Sequence, residues 1–463
     1  MAELPTFDTK MSDAEGLMWR IEKDPHLSST FGNITILDSK PDFERIVRRM
    51  EHATTIVPRL RQRVQPAPAN LSAPTWVNDV NFDIRYHVRH LALPKPGNMR
   101  QLLDLATLLI NDPFDRTRPL WQFVIVDGLR GGRSALIEKL HHTISDGEGM
   151  IQLSLAFLDF DRDAPEPPLI DIDDLLTQAS EGASAQPSPD VLRGLVGGSL
   201  RMPLGLLRQM LELWVDPTRI PRASTATADT VRGVISQLSD VEQAHSPLWK
   251  QRSLKRRVET LRAPFTATRD VARKLGGTLN TAFLTVAAEA SSQYHIKLDA
   301  PVETLRASMA VSTRTENSGA NAFSLVRMLI PTGAMPIAER FAAIDESAKS
   351  SRGGAPSASL ETLAAVAAAL PTSLVTRLAR TQAQTIDFAT SNVKGSPVAM
   401  YVGGAQLLEN YPVGPLGGVA FNLTLLSYLG SLDIGVNIDT AAVAEPELLR
   451  DCLVRAFDDL LAQ

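Results

Sequence analysis

From Phe31 to Leu158 the chain switches repeatedly between two hydrophobic periods, and this alternation points to a mixed α/β architecture. Phe31–Leu37 reads as a strand, and Pro41–Met50 as a helix with Phe43, Ile46, Val47 and Met50 on one face. A second helix is expected over Met99–Leu109. Leu120–Val126 and Ser134–His142 then read as strands joined through Asp127-Gly128 and Gly131-Gly132, so the second strand ends at two adjacent histidines. Met150, Ile151, Ser154, Leu155 and Leu158 follow at helical spacing, which sets His141 and His142 at a strand-to-helix junction.

At 463 residues the chain exceeds what one core usually holds. Between Asp161 and Asp190 it turns Pro-, Asp-, Ser- and Ala-rich, the composition of a linker. Leu192–Trp214 is apolar, with Arg193, Arg201 and Arg208 near one helical face. That suits a helix packed on the body with a solvated edge, or one lying on a lipid surface. From about Thr225 a second α/β region is expected, with strands at Arg306–Ser312, Phe323–Pro331 and Gly418–Leu429 and helices near Asn280–His295 and Glu445–Leu461. The expected division is residues 1–160, a connecting region 161–224, and residues 225–463. Two open α/β halves would leave a cleft between them, where ligands commonly bind.

Charge and cysteine content narrow the function. With 47 Lys and Arg against 52 Asp and Glu, the net charge of −5 gives no field for drawing in nucleic acid. A single cysteine, Cys452, excludes an internal disulfide or a Cys-rich metal site and fits a reducing compartment. The first thirty residues carry acids and no apolar run, and no stretch approaches the ~18 apolar residues of a spanning helix. A cytoplasmic protein, soluble or attached to a surface, is expected. Locally the sign reverses: Trp249–Lys274 holds nine Lys or Arg residues against Glu259 and Asp270, including Lys255, Arg256 and Arg257. Phosphates of a ligand, anionic headgroups or plain solvent could face that patch.

The run His141-His142-Thr143-Ile144-Ser145-Asp146-Gly147 carries the clearest chemistry. Strand alternation sends the two imidazoles to opposite faces, so one works in a cavity while the other is held in the body. A neutral imidazole at a strand end can take a proton from a hydroxyl. Asp146 suits a helix cap, and Gly147 a tight turn. No third ligand stands at zinc spacing, and no Gly-x-Ser-x-Gly elbow supplies a serine nucleophile.

This run matches the His-His-x-x-x-Asp-Gly signature of CoA-dependent acyltransferases related to chloramphenicol acetyltransferase and to peptide-synthetase condensation domains. The longer stretch Asn111–Gly147, with Asp115-Arg116-Thr117-Arg118-Pro119-Leu120-Trp121 before the histidine strand, resembles the bacterial wax ester synthase/diacylglycerol acyltransferase family. Further segments fall in family order: Met11–Ala14, Leu254–Asn280, Val311–Arg314 and Asn392–Pro397. Two positions depart from the family pattern. Asn280-Thr281 stands for Asn-Asp, and Asn392-Val393-Lys394-Gly395-Ser396-Pro397 for an Asn-Val-Pro-Gly-Pro block.

The resemblance implies two chloramphenicol-acetyltransferase-like open α/β subdomains forming a pseudo-dimer with an interdomain tunnel. It implies direct transfer of a long-chain acyl group from acyl-CoA to a lipid alcohol, with acyl-CoA as substrate and no cofactor or metal. His142 would be the base. Asn280 would face the oxyanion or cap its helix. Pro119, Leu120, Trp121 and Asn392 would line the core or tunnel, and Asp146 would pair with Arg314 across the halves, supported by His141 and Gly147. Another hydroxyl acceptor, or a lipid-binding relative without turnover, would fit the same signature. Peripheral contact with a membrane or lipid droplet is compatible with either.

Overall fold

The computed structural model describes residues 9–67, 73–145, 153–166, 244–312, 323–353, 364, 367 and 372–463. Most of the expected connecting region, the Leu192–Trp214 helix, and Asp146, Gly147 and Arg314 lie outside the described residues.

In chain order the strands are β1 (Thr30–Leu37), β2 (Gln62–Gln65), β3 (Thr75–Asn78), β4 (Val88–Ala92), β5 (Trp121–Leu129), β6 (Arg133–His141) and β7 (Arg256–Pro264). Then come β8 (Thr304–Ser312), β9 (Phe323–Pro331), β10 (Phe388–Lys394), β11 (Tyr401–Val402), β12 (Ala405–Val413), β13 (Phe421–Tyr428) and β14 (Ser431–Asp439). The helices that matter here are α1 (Asp13–Ile21), α2 (Phe43–Ile56), α3 (Ile84–His87), α4 (Met99–Asn111), α5 (Phe265–Lys274), α6 (Leu279–Lys297), α7 (Ile337–Gly353), α8 (Thr372–Gln384) and α9 (Pro446–Leu461).

Two six-stranded sheets form, in the orders β11-β12-β1-β6-β5-β4 and β7-β14-β13-β10-β8-β9. The run β1-β6-β5-β4 pairs antiparallel, antiparallel, parallel, and β7-β14-β13-β10 repeats that pattern. The β5–β6 hairpin of the first sheet thus corresponds to β13–β14 of the second. The halves of the chain do not each keep to one sheet, however. Residues 401–413 leave the second half and add β11 and β12 to the first sheet, with Thr35 opposite Asn410. No composition shift marks that exchange, because a strand that changes sheets is patterned like any other.

Helix starts follow local chemistry. Asp42 caps α2 through Arg45 N, and Asn98 with Gln101 forms a capping box on α4. α4 packs Leu102, Leu103, Ala106 and Ile110 against Ile34, Ile36 and Ile137 on one face of the first sheet. On the opposite face Phe31, Leu37, Leu136 and Leu140 join Ile46, Val47 and Met50 of α2. The second sheet is covered by α6, α7 and α9, with Phe283, Phe341, Leu453 and Phe457 in its core.

The sheets meet where β12 crosses β14. Gly435 lies under the β12 backbone, and an added Cβ there would stand 1.9 Å from the Pro412 carbonyl oxygen. Asp433 accepts the Asn410 N–H at 2.7 Å, and Asn437 Nδ2 donates to Gly414 O at 2.9 Å. Among the described residues no helix is long and apolar enough to cross a membrane.

Candidate functional site

α1 begins at a Ser12–Glu15 capping box and ends with Glu22 as its C-cap, followed by Pro25. This short helix delivers Glu22 to the end of β6. There the fully buried His141 places Nε2 2.7 Å from Glu22 Oε2. His141 Nδ1 accepts the Thr143 N–H at 3.1 Å and so carries no proton of its own in the neutral ring, which leaves Nε2–H to donate to Glu22. Glu22 Oε1 also accepts from Ser28 Oγ at 2.8 Å and Ser29 N at 3.3 Å. Burial pushes the Glu22 carboxyl up, but these hydrogen bonds and the charge of Arg116 outweigh it and leave it below its ordinary range. The anchor is therefore a carboxylate.

His142 is the first residue past β6. Its N–H donates to Ser29 O at 3.1 Å, and its ring packs 4.6 Å from the Phe31 ring at an interplanar angle of 41°. It is partly exposed, whereas His141 is closed off. Alternation along the strand thus separates a buried, anchored imidazole from a partly exposed one.

The block ahead of the histidine strand holds this end of the sheet in place. Trp121 is fully buried, donates Nε1–H to Leu60 O at 2.7 Å and stacks on His87 at 4.6 Å. His87 Nδ1 lies 2.7 Å from the Trp121 carbonyl oxygen, and burial lowers its pKa to about 4, so the ring stays neutral. Leu120 O accepts the His141 N–H, and Pro119 O accepts the Trp121 N–H. Pro119, Leu120 and Trp121 accordingly serve the core beneath the histidines. Arg116 lies 3.4 Å over the Trp19 ring and donates to Trp19 O, which fixes α1 beside Glu22. On β6 itself, Lys139 donates to Asp112 O and sits 4.2 Å from the Phe114 ring, while burial lowers its pKa to about 8. The Asn111–Trp121 stretch is in this way tied to the strand that carries the histidines.

In the second half, Asn392 Nδ2 of β10 donates to Asn280 Oδ1 at 2.6 Å, so two residues singled out separately are brought together. Asn280 does not cap its helix. That role belongs to Thr278, whose hydroxyl accepts the Thr281 N–H in a Thr278–Thr281 capping box. Threonine at 281 is thus used locally, and its hydroxyl also donates to Asp345 at 2.8 Å.

The basic patch is largely neutralised from within. Arg256 is 3.5 Å from Asp439 with its side chain 8 % exposed, and Arg257 reaches both Glu259 and Glu447 at 2.6 Å. Arg262 pairs with Asp433 at 2.8 Å, and Arg252 is spent on backbone carbonyls. Lys255 is exposed. One residue beyond Glu22, an open groove of about 490 Å³ runs between Lys23–Pro25 and Thr372, Ser373 and Thr376 of α8. Among the described residues no group of His, Cys, Asp or Glu is placed to hold a metal ion.

Sequence reasoning found both histidines and the Trp121 block but not Glu22 or Phe31. Neither carries a local signal, since each reaches the site only through tertiary pairing of β1 and α1 with β6.

The chain is similar to known proteins over nearly its whole length. Residues 11–283 match a family model described as the wax ester synthase/diacylglycerol acyltransferase catalytic domain, and residues 319–461 match its C-terminal domain. Two Mycobacterium tuberculosis proteins carrying the name diacylglycerol O-acyltransferase are 30% identical over 99% of this chain and 93% of theirs, and 27% identical over 100% and 96%. The fold is similar to that of the wax ester synthase/diacylglycerol acyltransferase of Marinobacter aquaeolei VT8, with TM-score 0.65, 21% identity and 98% of each chain covered. It is also similar to the starter condensation domain of rhizomide synthetase, with TM-score 0.57, 13% identity, and 98% of this chain and 95% of that one covered.

Proposed function

The chain belongs to the wax ester synthase/diacylglycerol acyltransferase family, and from that premise we propose that it esterifies a lipid alcohol by direct transfer from a long-chain acyl-CoA, with His142 as general base. The observation that carries the assignment to His142 is its separation from His141: one imidazole is pinned to Glu22, and the other is left partly open beside Phe31. His142 takes the alcohol proton as the oxygen attacks the thioester carbonyl. The new C–O bond forms, the C–S bond breaks, and the imidazolium returns the proton to the departing thiolate, giving ester and free CoA. One residue serves as base and then as acid, with no acyl-enzyme between.

The developing oxyanion needs a donor, and Asn280, held by Asn392 near the start of α6, is proposed for it. Asp146 and Arg314 are proposed to lock the loop after His142 across the two halves. Of the basic residues considered for CoA, Lys255 is the one proposed to meet a phosphate, because Arg256 and Arg257 are occupied by carboxylates. Diacylglycerol and a fatty alcohol are the proposed acceptors, taken up in a tunnel between the sheets, at a membrane or droplet surface.

Thiol release from palmitoyl-CoA, measured with hexadecanol, a diacylglycerol or no acceptor, tests the reading. Acceptor-dependent release by the wild type and its loss in His142→Ala is the expected result. Release unchanged in His142→Ala would reject His142 as the base. Silence with every acceptor would favour a different hydroxyl or a binding role.

A further inference from the structure

Both histidines are framed by one short segment. Glu22 Oε2 meets His141 Nε2 at 2.7 Å, and Ser29 O accepts the His142 N–H at 3.1 Å. The residues between are tied to one another. Ser28 Oγ and Ser29 N donate to Glu22 Oε1, and Asp24 Oδ1 accepts the His26 N–H at 3.0 Å across the 3₁₀ turn Pro25–Leu27, whose Leu27 is buried. A displacement of residues 22–29 therefore reaches the anchor of one imidazole and the backbone of the other together.

This segment is gripped from the second half of the chain. On one side of Glu22, Arg20 donates through Nε to Thr372 Oγ1 and through Nη1 to Ala367 O, both at 3.2 Å. On the other side, Asp24 Oδ2 pairs with Arg380 Nη1 at 3.0 Å. Thr372 opens α8 and Arg380 lies about two turns further along it, so one helix holds both flanks of Glu22. The contacts surround open space, since Asp24 and Thr372 also line the groove of about 490 Å³. The Arg380 side chain is 43 % exposed. An ion pair this open contributes little to global stability, so its effect on position and its effect on stability can be measured apart.

We propose that Arg380, together with Thr372, acts as a positioning residue for the histidine pair. α8 holds Asp24 and Arg20, these hold the segment from Glu22 to Ser29, and both histidines take their orientation from it. The inference rests on His142 being the base. It goes beyond that reading by making the orientation of a base carried on the first sheet depend on a helix of the second half.

The test follows acyl transfer from palmitoyl-CoA and the ring resonances of isotope-labelled histidine in the full chain. The His142 resonance is identified by its absence in His142→Ala. Arg380→Glu should lower kcat by about tenfold, since misplacing a reacting group by ~1 Å costs on the order of a hundredfold. KM for palmitoyl-CoA and the melting temperature should stay near wild type, while the His142 resonance moves. Arg380→Lys, which keeps the charge, should restore most of kcat and the wild-type resonance. Raising the salt concentration should narrow the gap between Arg380→Glu and wild type, because an exposed pair is screened. Thr372→Val, which lacks the acceptor for Arg20, should shift kcat and the resonance as Arg380→Glu does, and Thr372→Ser should not. An unmoved His142 resonance in Arg380→Glu overturns the positioning role whether or not transfer is detected, and so does a kcat equal to wild type. Should Arg380→Glu fail to fold, Thr372→Val decides by the same readouts. Transfer that survives in His142→Ala overturns instead the reading on which the inference rests.

Discussion

Glu22 and His141, 119 residues apart in sequence, meet at 2.7 Å, so the short N-terminal helix determines the orientation of the histidine strand's end. Removing the carboxylate leaves the buried Nε2–H without its acceptor, which costs about 1–3 kcal/mol. Glu22→Ala should lower the melting temperature and reduce kcat while changing KM for acyl-CoA little, because His141 orients and does not touch substrate. Glu22→Gln, whose carbonyl still accepts, should lose less of both. Thermal unfolding and steady-state kinetics on the pair check this.

Gly435→Ala tests the contact between the sheets. A methyl 1.9 Å from the Pro412 carbonyl oxygen has no room, and the atom it meets is backbone. Forcing β12 away from β14 should destabilise the protein by about 1–3 kcal/mol or prevent folding. A melting temperature equal to wild type would show that the strands do not pack this closely.

Two buried groups oppose each other on acidification. Burial raises the Glu138 pKa from 4.5 to about 7, so the folded form holds more protons than the unfolded one between those values, and stability falls as pH rises through them. Burial lowers the His87 pKa from 6.5 to about 4, and its contribution is lost as pH falls through that window. In the wild type the two slopes partly cancel. Glu138→Gln removes one, so its stability should drop more steeply than wild type between about pH 6.5 and 4.5. Denaturant unfolding at a series of pH values is the measurement, and parallel curves would count against the account.

Arg256 and Lys255 are neighbours with different fates. Arg256→Ala strips the partner from Asp439, a carboxylate 2 % exposed that keeps hydrogen bonds from Ser253 and the Ala441 N–H. About 1–3 kcal/mol of stability should go, with KM for palmitoyl-CoA unmoved. Lys255→Glu should do the reverse, raising KM and leaving the melting temperature near wild type. Differential scanning fluorimetry alongside thiol-release kinetics separates the two.

What could be read directly from sequence was whatever is local. The strands at Phe31 and Ser134 and the helices at Pro41 and Met99 come from short-range periodicity, and each lies within a few residues of the observed element, whereas of the helix expected over Met150–Leu158 residues 150–152 lie outside the described residues and the chain turns from residue 155. Capping was read less well: Asn280 stood at the right helix start, but Thr278 two residues earlier has the hydroxyl geometry for the cap. The basic run looked like a free patch because its counter-charges, Asp433, Asp439 and Glu447, arrive from β14 and α9, some 170 to 190 residues later. The transfer of β12 to the other sheet and the placing of Glu22 are likewise products of long-range pairing.

That transferred strand limits how the molecule can open. With β12 paired to β1 in one sheet and lodged against Gly435 in the other, a clam-shell hinge between the halves would have to peel a full ladder of backbone hydrogen bonds from β1. Any opening that keeps the β1–β12 ladder intact must therefore leave the two sheets clasped where β12 crosses β14.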